Sequence, residues 1–377
     1  MIYLDYSATT PVNKEVLDTF FKVSNNYIGN PNSIHKLGVE SKKLMDEATE
    51  QIANLFNILP DEVIYTSSGS ESNNLAIKGI CHSYPSRSKH IITTKMEHSS
   101  ILETVNYMKE NGYKVNYLNI LENGLIDLEH LKKLLKEKPL IVTIALVNSE
   151  VGIKQPIEEI GNIIREISQT TIFHVDGTNA VGKIKINLKN IDLFSCSGHK
   201  FYGLKGIGLL IKKKHINLTP LIHGGKSTTV YRSGTPALGL IVSIAKSLRL
   251  VITNLDNQYD YVLNLNRYLI MLLNKIPEVF VNSNSYCIPH IVNISIPLIK
   301  PETIIHALEE EDIYITTQTA CSKGDASLTL VAMHKSLPIS ETSLRISLSH
   351  LTTEKEIITF VKKLKNILNK LILKKGE

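Results

Sequence analysis

One lysine stands where an amine does useful chemistry. The apolar run IDLFSCS ends in Gly198-His199-Lys200, an aromatic pair follows, and beyond Gly203 and Gly206 a second apolar run, IGLLI, begins. That is the pattern of strand, tight loop, strand, with Lys200 held at the turn. An amine placed there is half withdrawn from water, which lowers its pKa toward a nucleophilic range and suits it to form an imine with an aldehyde. A solvated turn lysine has the same local pattern, so the groups around it must decide between the two.

Polar groups recur at the ends of other apolar runs. After EVIYT comes Ser67-Ser68-Gly69-Ser70-Glu71, small and hydroxylic at a helix start. Free N–H groups and the helix dipole would cradle a phosphate there, or Ser70 would simply serve as an N-cap. HIITT is followed by Glu97-His98, PLIVTIALV by Asn148-Ser149-Glu150, and TIFHV by Asp176-Gly177-Thr178-Asn179. An aspartate ending a buried strand needs a cation or strong donor opposite it, and a protonated pyridine nitrogen is one. Ser197, His199 and Lys200 complete the series. A phosphate cradle, an imidazole, an asparagine, an aspartate and an imine-forming lysine at successive strand ends suit pyridoxal phosphate.

The elements that must position these residues alternate from Glu62 onward, strand then helix, with apolar strands. A largely parallel sheet covered on both faces follows, with ligands expected beyond the carboxyl ends of its strands. Upstream, residues 1 to 38 read as turn-rich, and GNPNSIHKLG as an ordered loop approaching another surface. A helix is expected from about Gly38 to Asn57, with Leu44, Ala48, Ile52 and Leu55 on one face. Helical pattern also runs unbroken from Pro236 to Lys275, linking a second α+β unit. The fold expected is therefore α/β: a large domain with a mostly parallel central sheet over residues 15–255, and a smaller α+β domain built from 1–14 and 256–377.

Composition sets the bounds. A chain of 377 residues, 43% hydrophobic and 21% charged, is a soluble globular composition and long enough for two domains. No apolar run approaches the ~18 residues of a transmembrane helix, and MIYLDYSATT lacks the basic start of a secretory signal. The net charge of +6 comes from scattered lysines, compatible with phosphorylated ligands or an acidic partner without requiring nucleic acid. Near the C-terminus, Ile358, Val361, Leu364, Ile367, Leu368 and Leu371 form a helical stripe expected to pack inward. Cys81, Cys196, Cys287 and Cys321 show no metal-ligand spacing and no disulfide framework, which points to a reducing cytoplasm.

The chain resembles the cysteine desulfurases of the class V aminotransferase family, which supply sulfur for iron–sulfur clusters and tRNA thiolation. The resemblance runs over nearly the whole length through YLDYSATTP, GNPNSIHKLG, TSSGSESNNLAIKG, EHSS, VNSEVG, VDGTNAVGK, SGHKFYGLKGIG, RSGTPA, TACS and LRISLSHLTTEKEI. It implies a fold-type I pyridoxal-phosphate transferase. Lys200 then matches the lysine that holds the cofactor, Asp176 the partner of its pyridine nitrogen, and His98 the imidazole stacked on its ring, which also moves protons. Gly69, Ser70, Ser197 and His199 match the phosphate grip, and Thr235 a phosphate contact given across a homodimer interface. Asn148 and Arg345 match residues around the substrate carboxylate. Cys321, in the polar loop QTACSKGDAS, matches the thiol that takes sulfur from L-cysteine as a persulfide, leaving L-alanine, with Lys323 favouring its thiolate. A sulfur-acceptor protein is implied as partner; direct nucleic-acid and membrane contacts are not.

The chain also departs from the family pattern. Asn179 stands where glutamine usually reaches the cofactor's phenolic oxygen. Residues 226 to 229 replace a Gln-Glu pair, Ser149 a second asparagine, and Ser349 a glycine. Selenocysteine lyase, class V transaminase, and a catalytically weakened sulfur-transfer scaffold are the alternative readings.

Overall fold

In a computed structural model of the protein, residues 1–225, 228–297, 299–317 and 326–373 are described. The chain begins with β1 (Ile2–Tyr3), α1 (Lys14–Asn26) and α2 (Lys36–Phe56). Alternation then sets in: β2 (Val63–Thr66), α3 (Gly69–Ser83), β3 (His90–Thr93), α4 (Ser99–Glu110), β4 (Lys114–Tyr117), α5 (Leu128–Leu135), β5 (Ile141–Ala145), α6 (Ile157–Ile167) and β6 (Ile172–Asp176). The hairpin β7 (Leu193–Ser197) and β8 (Gly208–Lys212) comes next, then α7 (Leu238–Thr253) and α8 (Leu255–Leu273). The remainder is β9 (Phe280–Val281), β10 (Ile291–Ser295), α9 (Pro301–Glu309), β11 (Ile313–Tyr314), α10 (Leu328–Ala332), α11 (Leu337–Ser340), β12 (Ser343–Ser347) and α12 (Glu354–Leu373).

Seven strands form the central sheet in the order β2-β8-β7-β6-β5-β3-β4. β8 runs antiparallel to both neighbours and the other pairings are parallel, so the mostly parallel sheet expected from the alternation is present. Side chains leave its faces alternately, as strand geometry requires. Ile64, Ile91, Ile141, Ile172 and Leu193 meet α3 and α4 through Ile77, Ile80, Ile101 and Val105. Val63, Ile92, Val142, Phe173 and Phe194 meet the opposite layer through Ile52, Leu131, Ile160 and Leu248. Asp176 shares strand parity with Ile172 and so belongs to the α3/α4 side.

A separate apolar cluster joins the three-stranded antiparallel sheet β12-β10-β9 to α8, α9 and α12 through Val292, Ile294, Leu344, Ile346, Leu269, Ile304, Phe360 and Leu364. The parallel pair β1-β11 carries the N-terminus into this unit.

Three expectations need correction. Residues 1 to 38 are not all turn: α1 forms because Asn13 caps it, its side chain accepting from Glu15 N–H, and because Val16 and Val23 are buried two turns apart. The long helix is two, bent by 65° at Asn254, whose own amide donates to Leu250 O at 2.8 Å and closes α7. In α12 the inward stripe runs through Ile357, Phe360 and Leu364, while Ile358 is 44% exposed. Among the described residues no single helix is long and apolar enough to cross a membrane.

Candidate active site

A cavity of about 250 Å³ opens at the carboxyl ends of β2, β3, β6 and β7, closed on the far side by the N-terminal segment and by Arg345 of β12. Its floor is Asp176, the last residue of β6 and 5% exposed. Asp176 Oδ1 accepts from Thr178 N–H at 2.9 Å, and Oδ2 from Asn73 Nδ2 at 2.9 Å. Such donors satisfy the buried carboxylate and fix the direction in which it points. His98 caps α4, its Nδ1 accepting from Ser100 N–H at 3.1 Å. Burial holds its pKa below the ordinary histidine value; the Asp176 charge works against that shift and the Lys200 charge with it.

Lys200 lies in the short turn after β7, as the strand–loop–strand pattern requires. Its amine donates to Ser7 O at 2.6 Å and Ala8 O at 2.8 Å. Two N–H bonds to two carbonyls leave the third tetrahedral position of a neutral amine for a lone pair. Burial, reinforced by the charge of Arg345, pushes the amine down to about 8. His199, pushed down to about 4 chiefly by burial, is uncharged at neutral pH.

At the opening of α3, Ser68 is the N-cap, its hydroxyl accepting from Glu71 N–H at 3.2 Å. This corrects the assignment of a capping alternative to Ser70, which sits in the first helical turn. Gly69 and Ser70 begin the helix, where N–H groups have no intrahelical acceptor. Facing the same end are Thr178 Oγ1 and Ser197 Oγ, both buried and, among the described residues, without a hydrogen-bond partner. Orphaned hydroxyls beside a helix N-terminus, with a neutral imidazole and an amine within the same cavity, form a donor set that fits a phosphorylated aldehyde.

Arg345 is 3% exposed, its Nη1 donating to Ser149 O and its Nη2 to Asp5 Oδ1, each at 2.9 Å. Nε is buried and has no partner among the described residues. Asn179 lines the cavity and its Oδ1 accepts from Ser7 Oγ at 3.2 Å.

The structure thus brings Gly69, Ser70, His98, Asp176, Asn179, Ser197, His199, Lys200 and Arg345 to one cavity. Asn148 is placed differently from the expectation that it faces the substrate. Its amide donates to Met96 O and Thr329 Oγ1 and accepts from Glu150 and Val151 N–H, and its neighbour Ser149 lines the cavity instead. A carboxamide with those partners is a brace for the turn after β5. Thr235 is exposed, before α7, and does not line this cavity. Cys321, Lys323, Lys226 and Ser227 lie outside the described residues. The residues flanking the Cys321 segment are fastened beside the site: Thr316 exchanges backbone hydrogen bonds with Arg345, and Ser327 donates to Glu150, next to Ser149.

Sequence reading passed over Ser7 and Ala8, Asn73, Ser100 and Thr178. The signal for Asn73 was its place one helical turn beyond Gly69. Ser100 was marked only by standing two residues after His98. The carbonyls of Ser7 and Ala8 carried no signal, since main-chain acceptors have no residue type.

A three-layer α/β sheet with a lysine in the turn after a central strand, facing an aspartate at the end of its neighbour, defines the fold-type I class. The chain belongs to the class-V aminotransferase family, whose model matches residues 2–360. It is 35% identical over 376 residues to a cysteine desulfurase IscS of Dictyoglomus turgidum, covering 98% of this chain and 95% of that one. With a cysteine desulfurase IscS of Buchnera aphidicola subsp. Acyrthosiphon pisum it shares 40% over 373 residues, 96% of this chain and 91% of the other. Among solved structures, a NifS-like protein superposes with a TM-score of 0.93 at 33% identity, covering 98% of this chain and 99% of that one. A second, SspA in complex with cysteine, has a TM-score of 0.82 at 29% identity over 94% of this chain and 100% of that one. Both the class-V family and the cysteine desulfurases within it use pyridoxal phosphate.

Proposed function

We propose that this protein is a pyridoxal-phosphate-dependent cysteine desulfurase. It would convert L-cysteine to L-alanine while the substrate's sulfur bonds to Cys321, whose thiol becomes a persulfide. The atoms balance without an oxidant: cysteine less one sulfur is alanine, and the thiol plus one sulfur is the persulfide. The observation that carries the reading is a half-buried amine, Lys200, in one cavity with Asp176, His98 and a buried arginine. The cysteine-bound relative and the desulfurases at 35–40% identity support the choice of substrate.

Pyridoxal phosphate, when bound, supplies an aldehyde and an electron-withdrawing ring. This chain's residues would do the rest. The N-terminus of α3 with Ser70, Thr178, Ser197 and His199 would hold the phosphate, and Asp176 would keep a proton on the ring nitrogen. Arg345 donates one N–H of each terminal nitrogen to Ser149 O and Asp5, and with the second N–H of each would orient the amino acid through its carboxylate, a match of planar fork to planar anion. Lys200, its amine pushed down to about 8 and so more readily unprotonated than an ordinary lysine, would in its neutral form take the proton from the substrate's α carbon.

The reading extends to assembly. Ile34 is 99% and Ile28 81% exposed in the loop before α2, with Val39 and Leu37 beside them. So much bare aliphatic surface on an ordered loop fits a second copy of the chain, which would bring its exposed Thr235 to this cavity's phosphate end. Residues 15–255 would form the cofactor domain, and 1–14 with 256–377 the domain that carries Cys321. A sulfur-acceptor protein, for cluster assembly or tRNA thiolation, would take the persulfide in the cytoplasm; Cys81, Cys196 and Cys287 are free thiols, in keeping with a reducing setting.

The test is brief exposure of the yellow protein to L-cysteine, with product analysis and mass spectrometry of the Cys321 peptide. Alanine together with one added sulfur on that peptide is expected, and Cys321→Ala should keep the colour and lose sulfur transfer. A keto-acid product, or full turnover by Cys321→Ala, would overturn the assignment.

A further inference from the structure

His98 Nδ1 accepts from the Ser100 N–H at 3.1 Å and lies 2.9 Å from Ser100 Oγ. A ring nitrogen that accepts from a backbone N–H carries no proton, so the proton of the neutral ring is on Nε2. The direction of the second contact follows from Asn73, which is 1% exposed in α3. Its amide nitrogen is 2.9 Å from Asp176 Oδ2 and 2.9 Å from Ser100 Oγ. Turned over, the amide would set its oxygen against the carboxylate, acceptor on acceptor. The NH2 therefore faces Asp176 and gives one hydrogen to each neighbour. Ser100 Oγ, already accepting from Asn73, sends its own hydrogen to His98 Nδ1.

We propose that Asn73 and Ser100 are positioning residues that lock His98 as the neutral Nε2–H tautomer, so that the ring meets the cavity as a hydrogen-bond donor and leaves proton abstraction to Lys200. The consequence for catalysis rests on the proposed function; the tautomer is a property of the chain. Protonating Nδ1 would set its new hydrogen against both the Ser100 N–H and a hydroxyl hydrogen that Asn73 keeps pointed that way. The charged groups facing the ring are Asp176, at the end of β6, and Lys200, in the turn after β7. They oppose one another, and burial adds its weight to the neutral form. Nε2 has no protein partner among the described residues, and the ring lines the cavity, so that N–H is left for whatever binds there.

The test is nitrogen NMR of holoenzyme labelled with ¹⁵N-histidine, with the His98 signals assigned by their loss in His98→Gln. It is titrated over the range of about pH 5 to 8 in which an ordinary histidine changes charge. In the wild type, Nδ1 is expected to be an unprotonated, pyridine-type nitrogen at every pH above the ring's titration midpoint. Ser100→Ala removes one donor from Nδ1 and is expected to raise the titration midpoint by up to about one pH unit. Asn73→Leu frees the Ser100 hydroxyl to turn away, leaving the Ser100 N–H as the donor to Nδ1, and should raise the midpoint in the same direction as Ser100→Ala. A protonated Nδ1 in the wild type above that midpoint, or resonances and midpoints unchanged in Ser100→Ala, would overturn the proposal. Should Asn73→Leu fail to fold, Ser100→Ala carries the test alone, since alanine suits the first turn of a helix. Alanine formation by the wild type reports separately on the proposed function.

Discussion

Gly177 follows Asp176, and the space a side chain would need there is filled by Phe194 of β7. A Cβ built on Gly177 would lie 1.9 Å from Phe194 Cζ, 2.3 Å from Cε2 and 2.8 Å from Cε1. Carbon atoms rest about 3.5–4.0 Å apart, so the ring would have to withdraw by roughly 1.5–2 Å. It is 1% exposed and backed by Phe56, with ring centroids 6.1 Å apart. Gly177 does not lie at positive φ, so Gly177→Ala costs no backbone strain and its whole effect is steric. Overpacking of this kind costs about 1–3 kcal/mol, and a ring so enclosed belongs at the upper end. Phe194→Leu alone leaves a gap costing about 1–2 kcal/mol, yet it removes the atoms that clash. The double variant should therefore be more stable than Gly177→Ala, with a coupling of about 2 kcal/mol. Thermal melts of the four proteins would show Gly177→Ala lowered by about 3–4 °C and partly rescued in the double variant. Because Gly177 N–H donates to Ser195 O at 2.8 Å, the displaced β7 should also disturb Ser197 and weaken cofactor retention. A Gly177→Ala protein that melts with the wild type, or additive effects, would refute the reasoning.

Two further outcomes are expected. The amine of Lys200, pushed down to about 8, is the reactive species when unprotonated, so its reaction with added pyridoxal phosphate should slow as pH falls below about 8. Stopped-flow absorbance across that range checks the sign, and Lys200→Ala should form no imine band at any pH. Arg345→Lys keeps a positive charge but loses the fork held by Asp5 and Ser149. Its KM for L-cysteine should rise about tenfold or more, read from steady-state alanine formation; an unchanged KM would remove Arg345 from the carboxylate site.

Much of the site was legible because its chemistry is written in residue types at strand ends. Lys200, Asp176, His98 and the small residues opening α3 follow apolar runs that point the same way in the sheet, β2 through the antiparallel β8 between it and β7, so their carboxyl ends share one edge. The alternation of strand and helix was equally open, since a sheet buried on both faces needs continuous apolar runs. What escaped were features set by partners distant in the chain. Asn148 has the residue type of a substrate contact, yet Met96 O and Thr329 take up its amide. Ile358 continues the apolar stripe on paper and faces outward, because the rotation of α12 is chosen by the cluster it packs on.

The amino-acid order by itself determined the α/β architecture, the strand-end lysine and aspartate that share one cavity, and the kinship of the chain, because period, strand-end chemistry and motif order are local properties. Only the tertiary structure decided that the N-terminal carbonyls of Ser7 and Ala8 hold that lysine, and that Asp5 holds Arg345. It also decided that Asn73 and Ser100 join the aspartate to the histidine. The physical reason is that hydrogen-bond direction and the shedding of water depend on which groups the fold brings within about 3 Å of each other, and separation along the chain carries no record of that.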